Sequence, residues 1–159
     1  MENQFKKLRI IIFSAVVFIV GLALVFNNKL DYSEKAFLKN SDLNLTLKVT
    51  SIIPTGDHCY GAIFGKVVNS NKSENYSAIF KGQYVFCKIE HDKVLLVSDY
   101  FAFQRNDSVI VNSKLLKYKI YRNGKLVADN NLTITTDLFL YQHLEDKKYL
   151  NFDIGARFK

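Results

Sequence analysis

An uncharged run of seventeen residues, Ile10 to Phe26, constrains this chain of 159 residues more than any other feature. A helix of that length reaches about 25 Å, and Leu8, Asn27 and Asn28 extend it towards the ~30 Å of a bilayer core. No residue in the run is polar enough to give a helix a wet face, which disfavours a buried helix of a soluble domain. The sequence therefore predicts one transmembrane anchor over residues 10–28.

The charges that flank this run predict how the anchor is oriented. Lys6, Lys7 and Arg9 precede it directly, whereas Lys29 is soon followed by Asp31. Cytoplasmic flanks carry the excess of Lys and Arg, so we expect residues 1–9 to form a cytoplasmic tail. The chain is then a single-pass protein of the cell membrane, with its bulk exported.

A cleaved signal peptide is the alternative for the same segment. It too begins with cations, continues with an apolar core, and ends at small residues such as Gly21 and Ala23. The apolar run continues to Phe26 without a break, as a retained anchor does, and this favours the anchor. Both readings stay open at the level of sequence.

The remainder of the chain has the pattern of β-structure. Leu43, Leu45, Leu47 and Val49 alternate with polar residues, which is typical of a half-buried strand. Further strand-like stretches cover residues 60–68, 78–90, 94–103, 108–111, 116–121, 126–128 and 132–135. Gly61 and Gly65 interrupt one of them, as glycines at bulges do.

Asn123-Gly124 is the clearest local signal, because this pair favours a two-residue type I′ hairpin. Leu116, Tyr118 and Ile120 would then share one face of the preceding strand. The last thirty residues are ambiguous: residues 137–148 are consistent with a strand and loop, or with a short helix capped by Thr136.

These patterns predict a stalk over residues 29–41 and an exported β domain over 42–159. Seven or eight short strands at regular spacing indicate an all-β fold, a small barrel or sandwich of antiparallel strands behind one N-terminal transmembrane helix. Hydrophobic residues make up 48% of the chain, too many for a disordered one.

Two cysteines, Cys59 and Cys87, would both lie outside the cytoplasm, where disulfides persist. If the loop at residues 69–77 closes a symmetric hairpin, the two residues face each other across adjacent strands, at a distance suited to a disulfide. A pair of free, buried thiols is the alternative, and both remain open. His58 and His91 would complete a set of four possible zinc ligands, but adjacent His58 and Cys59 diverge in a strand and no C-x-x-C pair is present, so we predict no metal.

The hairpin of residues 114–125 is the candidate interaction surface. It interleaves cations with aromatic residues, in a chain with a formal net charge of +7. Its residues are Lys114, Lys117, Lys119, Tyr121, Arg122 and Lys125. Such a surface suits another envelope protein or an anionic membrane, and export makes nucleic acid an improbable partner. The alternative is a solvated face whose lysines protect a strand edge.

Catalytic signatures are missing from the sequence. It contains no G-x-S-x-G, no H-E-x-x-H and no phosphate-binding glycine loop, so we predict no catalytic residues, no cofactor and no enzyme. Thirteen Phe and nine Tyr raise a second hypothesis, a β-barrel that carries a small apolar ligand.

The segment from Asn106 to Lys125 resembles a part of small bacterial envelope proteins of uncharacterised function. In those proteins a D-S-[IV] turn precedes an N-S…Y-x-V-Y-R-N-G-K hairpin behind an N-terminal anchor or signal. Asp107-Ser108-Val109, Asn112-Ser113 and Tyr118 to Lys125 follow that pattern, with Ile120 in place of the Val. The resemblance covers about twenty residues and implies a setting without a mechanism. The predicted function is a membrane-anchored binding module of the cell envelope.

Overall fold

The computed structural model describes residues 12–19, 31–54 and 59–152. The chain divides into two compact units, Met1–Glu34 and Lys35–Lys159, and the second is here called the β unit. In the first unit residues 12–19 are helical. Among the described residues, no helix combines the length and the hydrophobicity needed to cross a bilayer. The predicted tail, 1–9, and the rest of the predicted anchor, residues 10–11 and 20–28, lie outside the described residues.

The secondary structure consists of eight strands, two α-helices and one 3-10 turn in the described parts of the chain beyond residue 30. Residues 31–41 are helical, and the part that belongs to the β unit, residues 35–41, is here called α1. The strands are β1 (Asn44–Pro54), β2 (Tyr60–Ser70), β3 (Asn75–Phe80), β4 (Tyr84–Glu90), β5 (Lys93–Asp99), β6 (Ser108–Asn112), β7 (Lys117–Arg122) and β8 (Lys125–Asn131). Helix α2 (Leu138–Asp146) and a 3-10 turn (Tyr149–Asn151) follow.

All eight strands form one antiparallel sheet in the order β3-β4-β5-β2-β1-β6-β7-β8. The all-β prediction is confirmed, but the predicted barrel or sandwich is wrong, because the sheet is open and ends at β3 and β8. The composition of β8 explains this, since none of its side chains is fully buried and it offers no apolar row for closure.

Strand β1 lies inside the sheet, as its alternating sequence predicts. Leu45, Leu47 and Val49 are buried, and Leu45 and Leu47 pair with Val111 and Val109 of β6. On its other edge β1 pairs with β2, with a register shift between Val49 and Ser51. The core of the β unit is therefore built around β1, which contacts both halves of the sheet.

Gly65 allows β1 and β2 to approach at this register shift. A β-carbon on Gly65 would lie 2.7 Å from the Lys48 carbonyl oxygen and 2.8 Å from Cδ1 of Leu47. Gly65 pairs with Val49, at the register shift. The predicted association of a strand glycine with a bulge is confirmed here.

The predicted type I′ hairpin joins β7 to β8. Asn123 and Gly124 have φ of 52° and 77°, and Arg122 pairs with Lys125 across the turn. Tyr118 and Ile120 are buried on one face of β7, as predicted. The local sequence thus determines this part of the fold.

Both helices pack on the sheet. Leu38 of α1, in the stretch predicted as a stalk, is buried in the core, and Leu140 and Leu144 of α2 are buried as well. Asp137 caps α2 instead of the predicted Thr136, because its carboxylate accepts hydrogen bonds from the first amide groups of the helix. Residues 132–135, predicted as a strand, have no regular structure.

Candidate interaction surface on the terminal hairpin

The six predicted surface residues lie at the β8 side of the sheet. Lys114 is in the turn between β6 and β7, and the others are on β7 and β8. Lys119 is exposed on β7 between Ile110 of β6 and Asp129 of β8, its partners in the two ladders. The structure therefore brings these residues into one continuous region, here called the hairpin surface.

Carboxylates offset part of the positive charge on this surface. Lys114 Nζ lies 3.0 Å from Oδ1 of Asp42, and Asp129 lies 3.4 Å from Lys117 Nζ and 3.9 Å from Lys119 Nζ. All these side chains are substantially exposed, so each pair adds little stability and stays accessible to a competing partner. The surface is less basic than the sequence of the hairpin alone indicates.

Arg122 has a structural role that the sequence did not indicate. Its Nε and Nη2 each donate a hydrogen bond of 2.9 Å to the carboxylate of Asp107, and Nη2 donates another, of 3.1 Å, to the Ala102 carbonyl. The Asp107 side chain is 1% exposed and the Arg122 side chain 32%. A buried carboxylate needs such a partner, and hydrogen bonding to Asp107 raises the pKa of Arg122. Arg122 is thus committed to the fold.

Exposed aliphatic side chains on the hairpin surface escaped the sequence reasoning. Leu126 is 52% exposed and Val127 47%, and Ile110 is exposed beside Lys119. The register shift opposite Ile120 and Tyr121 passes over Val127, so simple alternation does not describe β8. The sequence indicated this exposure in one place: Leu126 and Val127 are adjacent after the turn, so they would point to opposite faces of an edge strand, and at least one of the two must face solvent.

The two cysteines are not brought together. Both are free; Cys59 is exposed and Cys87 is fully buried. The prediction that position 59 faces position 87 is wrong because β5 lies between β2 and β4, with Cys87 opposite Leu96. The apolar residues of β5 are buried on both faces, so this strand occupies the sheet interior. Burial raises the pKa of the Cys87 thiol to about 12.

No group of three or more His, Cys, Asp or Glu side chains within the described residues could hold a metal ion. His58 lies outside them. Large aromatic side chains such as Phe64, Phe86 and Tyr118 are fully buried within the hydrophobic core. The Phe64 ring meets that of Tyr149 edge to face, and the Tyr118 ring stacks on that of Phe103.

Comparison with models of known protein families, with curated proteins and with solved structures gave no significant match. Two features of the chain bear on its function: the apolar helical segment in the first unit, and the mixed cationic and aliphatic hairpin surface of the β unit.

Proposed function

We propose that the chain is a single-pass membrane protein whose exported β unit binds another envelope protein. The observation that carries the anchor is the exposure of residues 12–19. All eight are helical and exposed, and six large apolar side chains among them are 52–71% exposed. A helix that is apolar all round requires a non-aqueous environment, and the uncharged sequence continues to Phe26, which favours lipid.

The charge distribution supports the orientation of this anchor. Lys6, Lys7 and Arg9 lie on the N-terminal side of the apolar run, which favours a cytoplasmic N-terminus. The β unit is then exported together with both cysteines. A secreted protein with a cleaved signal peptide is the competing proposal, and it differs in one measurable respect, the N-terminus of the mature chain.

The hairpin surface supports a binding role for the β unit. Leu126 and Val127 expose apolar area next to Lys125, at the end of an open sheet. Apolar side chains within a polar rim are typical of surfaces that bind proteins. The complementary partner would present aliphatic side chains flanked by carboxylates, which can replace Asp129 as acceptors for Lys117 and Lys119.

Fractionation tests the anchor. We expect the intact chain to stay in membranes after alkaline carbonate extraction, and mass spectrometry of the N-terminus to find residues 1–28 present. In a chain that carries Cys59→Ala, a cysteine introduced by Lys66→Cys at an exposed position of β2 should react with a membrane-impermeant maleimide in whole cells if the β unit is exported. Recovery of the intact chain in the cytosol would overturn the proposal, and a mature chain that begins near residue 24 would favour secretion.

Crosslinking in native membranes tests the binding role. The charge-reversal variant Lys117→Glu/Lys119→Glu/Lys125→Glu should lose its crosslinked partner, and so should Leu126→Ser/Val127→Ser. The matched control is Lys48→Glu/Lys66→Glu/Lys93→Glu, because these three exposed lysines form a row across β1, β2 and β5. If both lysine triplets give the same crosslinks as the unmodified chain, the hairpin surface is not the interface.

A further inference from the structure

Exposed apolar side chains are concentrated at the end of the β unit where β2 begins and β5 ends. Phe101 is 67% exposed, Leu138 54% and Phe139 83%. Leu138 and Phe139 line an open depression together with Cys59 and Tyr60. These exposed fractions are high for side chains of this size, which a folded domain normally covers.

Phe101 belongs to the same region. The Tyr100 amide group donates a hydrogen bond of 3.0 Å to the Cys59 carbonyl, and the ring of Tyr100 lies 4.8 Å from that of Phe101. Tyr60 pairs with Asp99, directly before this turn. Phe101 thus directly follows a residue that is hydrogen bonded to Cys59, and Leu138 and Phe139 line the depression at Cys59. These three exposed residues are here called the aromatic end.

Neighbouring carboxylates hold both phenylalanines in place. Oδ1 of Asp99 accepts a hydrogen bond of 3.1 Å from the Phe101 amide, and Oδ1 of Asp137 accepts one of 2.9 Å from the Phe139 amide. In each case the aspartate lies two residues before the phenylalanine. These bonds fix the backbone of Phe101 in a turn and that of Phe139 at a helix cap.

The direction of α1 shows at which end of the sheet the β unit begins. The Ser41 carbonyl accepts a hydrogen bond of 3.4 Å from the Tyr76 hydroxyl, near the start of β3, whereas the ring of Phe37 lies 5.3 Å from that of Phe80, at its end. Going back along α1 therefore leads towards the Phe80 end of β3.

That end of β3 is also where α2 begins. Phe80 pairs with Tyr84, whose ring lies 5.3 Å from that of Tyr141 in the first half of α2. Tyr141 is two residues from Phe139. The first residues of the β unit thus lie at the end that carries the aromatic end.

We infer that the aromatic end inserts into the interface of the bilayer that holds the anchor. This inference rests on the proposed function, since it needs residues 10–28 in a membrane. Phe and Leu side chains gain free energy when they leave water for the boundary of headgroups and acyl chains. Lys81 is exposed in the turn after Phe80, 5.1 Å from its ring, where a cation would meet lipid phosphates.

The chain contains no tryptophan, so a single introduced tryptophan reports its surroundings without background. The test is the full chain carrying Phe139→Trp, reconstituted in phosphatidylcholine–phosphatidylglycerol vesicles with or without bromine on the acyl chains. Interfacial side chains lie about 5–10 Å deep, so bromination should roughly halve the emission.

Val68→Trp is the matched control. Val68 is 65% exposed, and it lies eight residues from Tyr60 along β2, about 25 Å at the usual strand rise. We expect its emission to be unaffected by bromination. Adding Phe101→Ser and Leu138→Ser to the Phe139→Trp chain should reduce quenching, with circular dichroism showing that the variant is folded.

Each other outcome would contradict the inference in a distinct way. Flotation of the chain with the vesicles but equal quenching of the two tryptophans would overturn it and leave the anchor intact. A blue-shifted Phe139→Trp emission that ignores bromine would assign the aromatic end to contact between copies of the chain. Failure of the chain to float would contradict the anchor, and the inference with it.

Discussion

The guanidinium of Arg122 holds the buried carboxylate of Asp107 through two hydrogen bonds of 2.9 Å each. The same carboxylate accepts a hydrogen bond of 2.7 Å from the Gln104 amide. Asp107 thereby connects the turn before β6 to the end of β7. The turn before β6 and the end of β7 are both held by this one carboxylate, so its removal should loosen both segments.

We expect Asp107→Ala to destabilise the β unit strongly. The Gln104 amide loses its acceptor, at a cost of about 1–3 kcal/mol, and Arg122 loses both bonds to the carboxylate. Urea denaturation of the full chain in detergent micelles measures the free energy of unfolding. The control Asp129→Ala removes only exposed ion pairs and should change it by less than about 1 kcal/mol. Equal losses in the two variants would show that Asp107 has no special role.

Gly65→Ala should destabilise the contact between β1 and β2. The added methyl group would lie 2.7 Å from a backbone oxygen of Lys48, which can move only with the strand. Overpacking of this kind costs about 1–3 kcal/mol. Lys66→Ala, at the exposed neighbouring position, should be close to neutral. The comparison uses thermal melting, and a Gly65→Ala chain as stable as Lys66→Ala would contradict the close approach of the two strands.

Gly124→Ala should weaken the terminal hairpin, because φ at this position is 77°. For a residue with a β-carbon this left-handed conformation costs about 1–2 kcal/mol. Asn123→Gly keeps positive φ accessible and should cost far less. Amide hydrogen exchange on β7 and β8 would detect the difference, and equal protection in both variants would argue against a type I′ turn.

The two thiols should differ sharply in reactivity. Cys59 is exposed and Cys87 is fully buried, with a pKa raised to about 12 by burial. A maleimide added to the folded chain at neutral pH should modify one thiol rapidly, and the second only after denaturation. Peptide mapping should place the first adduct on Cys59. Two rapidly modified thiols, or none in denatured, non-reduced protein, would contradict this arrangement.

Stability should fall at alkaline pH because Cys87 keeps its proton in the folded chain. The thiol titrates near 9.0 when exposed and at about 12 when folded, so the unfolded chain binds fewer protons between those values. The contribution of Cys87 is fully present below pH 9 and is lost as the pH rises, with a slope of at most about 1.4 kcal/mol per pH unit. Burial also raises the pKa of Tyr141, which acts in the same direction.

Cys87→Ala isolates the thiol in this experiment. Its smaller side chain lowers stability at every pH, so the slope between pH 9 and 11 is compared instead of the absolute value. We expect the free energy of unfolding of Cys87→Ala to fall less steeply with pH, by up to the contribution of one proton, about 1.4 kcal/mol per pH unit. Tyr141→Phe should change this slope less between pH 9 and 11. Identical slopes for Cys87→Ala and the unmodified chain would mean that Cys87 is ionised or exposed in the folded state.

Local patterns predicted the parts of the fold that depend on local chemistry. Alternation placed Leu45 and Leu47 in the core, and Asn123-Gly124 located the hairpin, because side-chain period and turn conformation are encoded within a few residues. The position of β5 could not be obtained in this way. Its residues Val94 to Val97 are buried on both faces, so the run has no period from which a register follows.

The sequence predicted which cations lie on the hairpin surface, but it did not predict the carboxylates that offset their charge. Lys117, Lys119 and Arg122 were evident from the sequence, whereas their partners Asp129 and Asp107 are set by strand pairing and turn geometry. The aromatic end was not predicted, because Phe101 and Phe139 are remote in sequence and only the pairing of β2 with β5 places both at one end of the sheet. The sequence did contain one indication of it, since an aspartate stands two residues before each of these phenylalanines: Asp99 before Phe101 and Asp137 before Phe139.

The central place of β1 has a consequence for the order in which the chain is made. This strand is synthesised before the other seven, yet its neighbour β6 emerges only after β2 to β5 are complete. Until then one side of β1 remains an unsaturated template, open to mispairing with any extended peptide nearby.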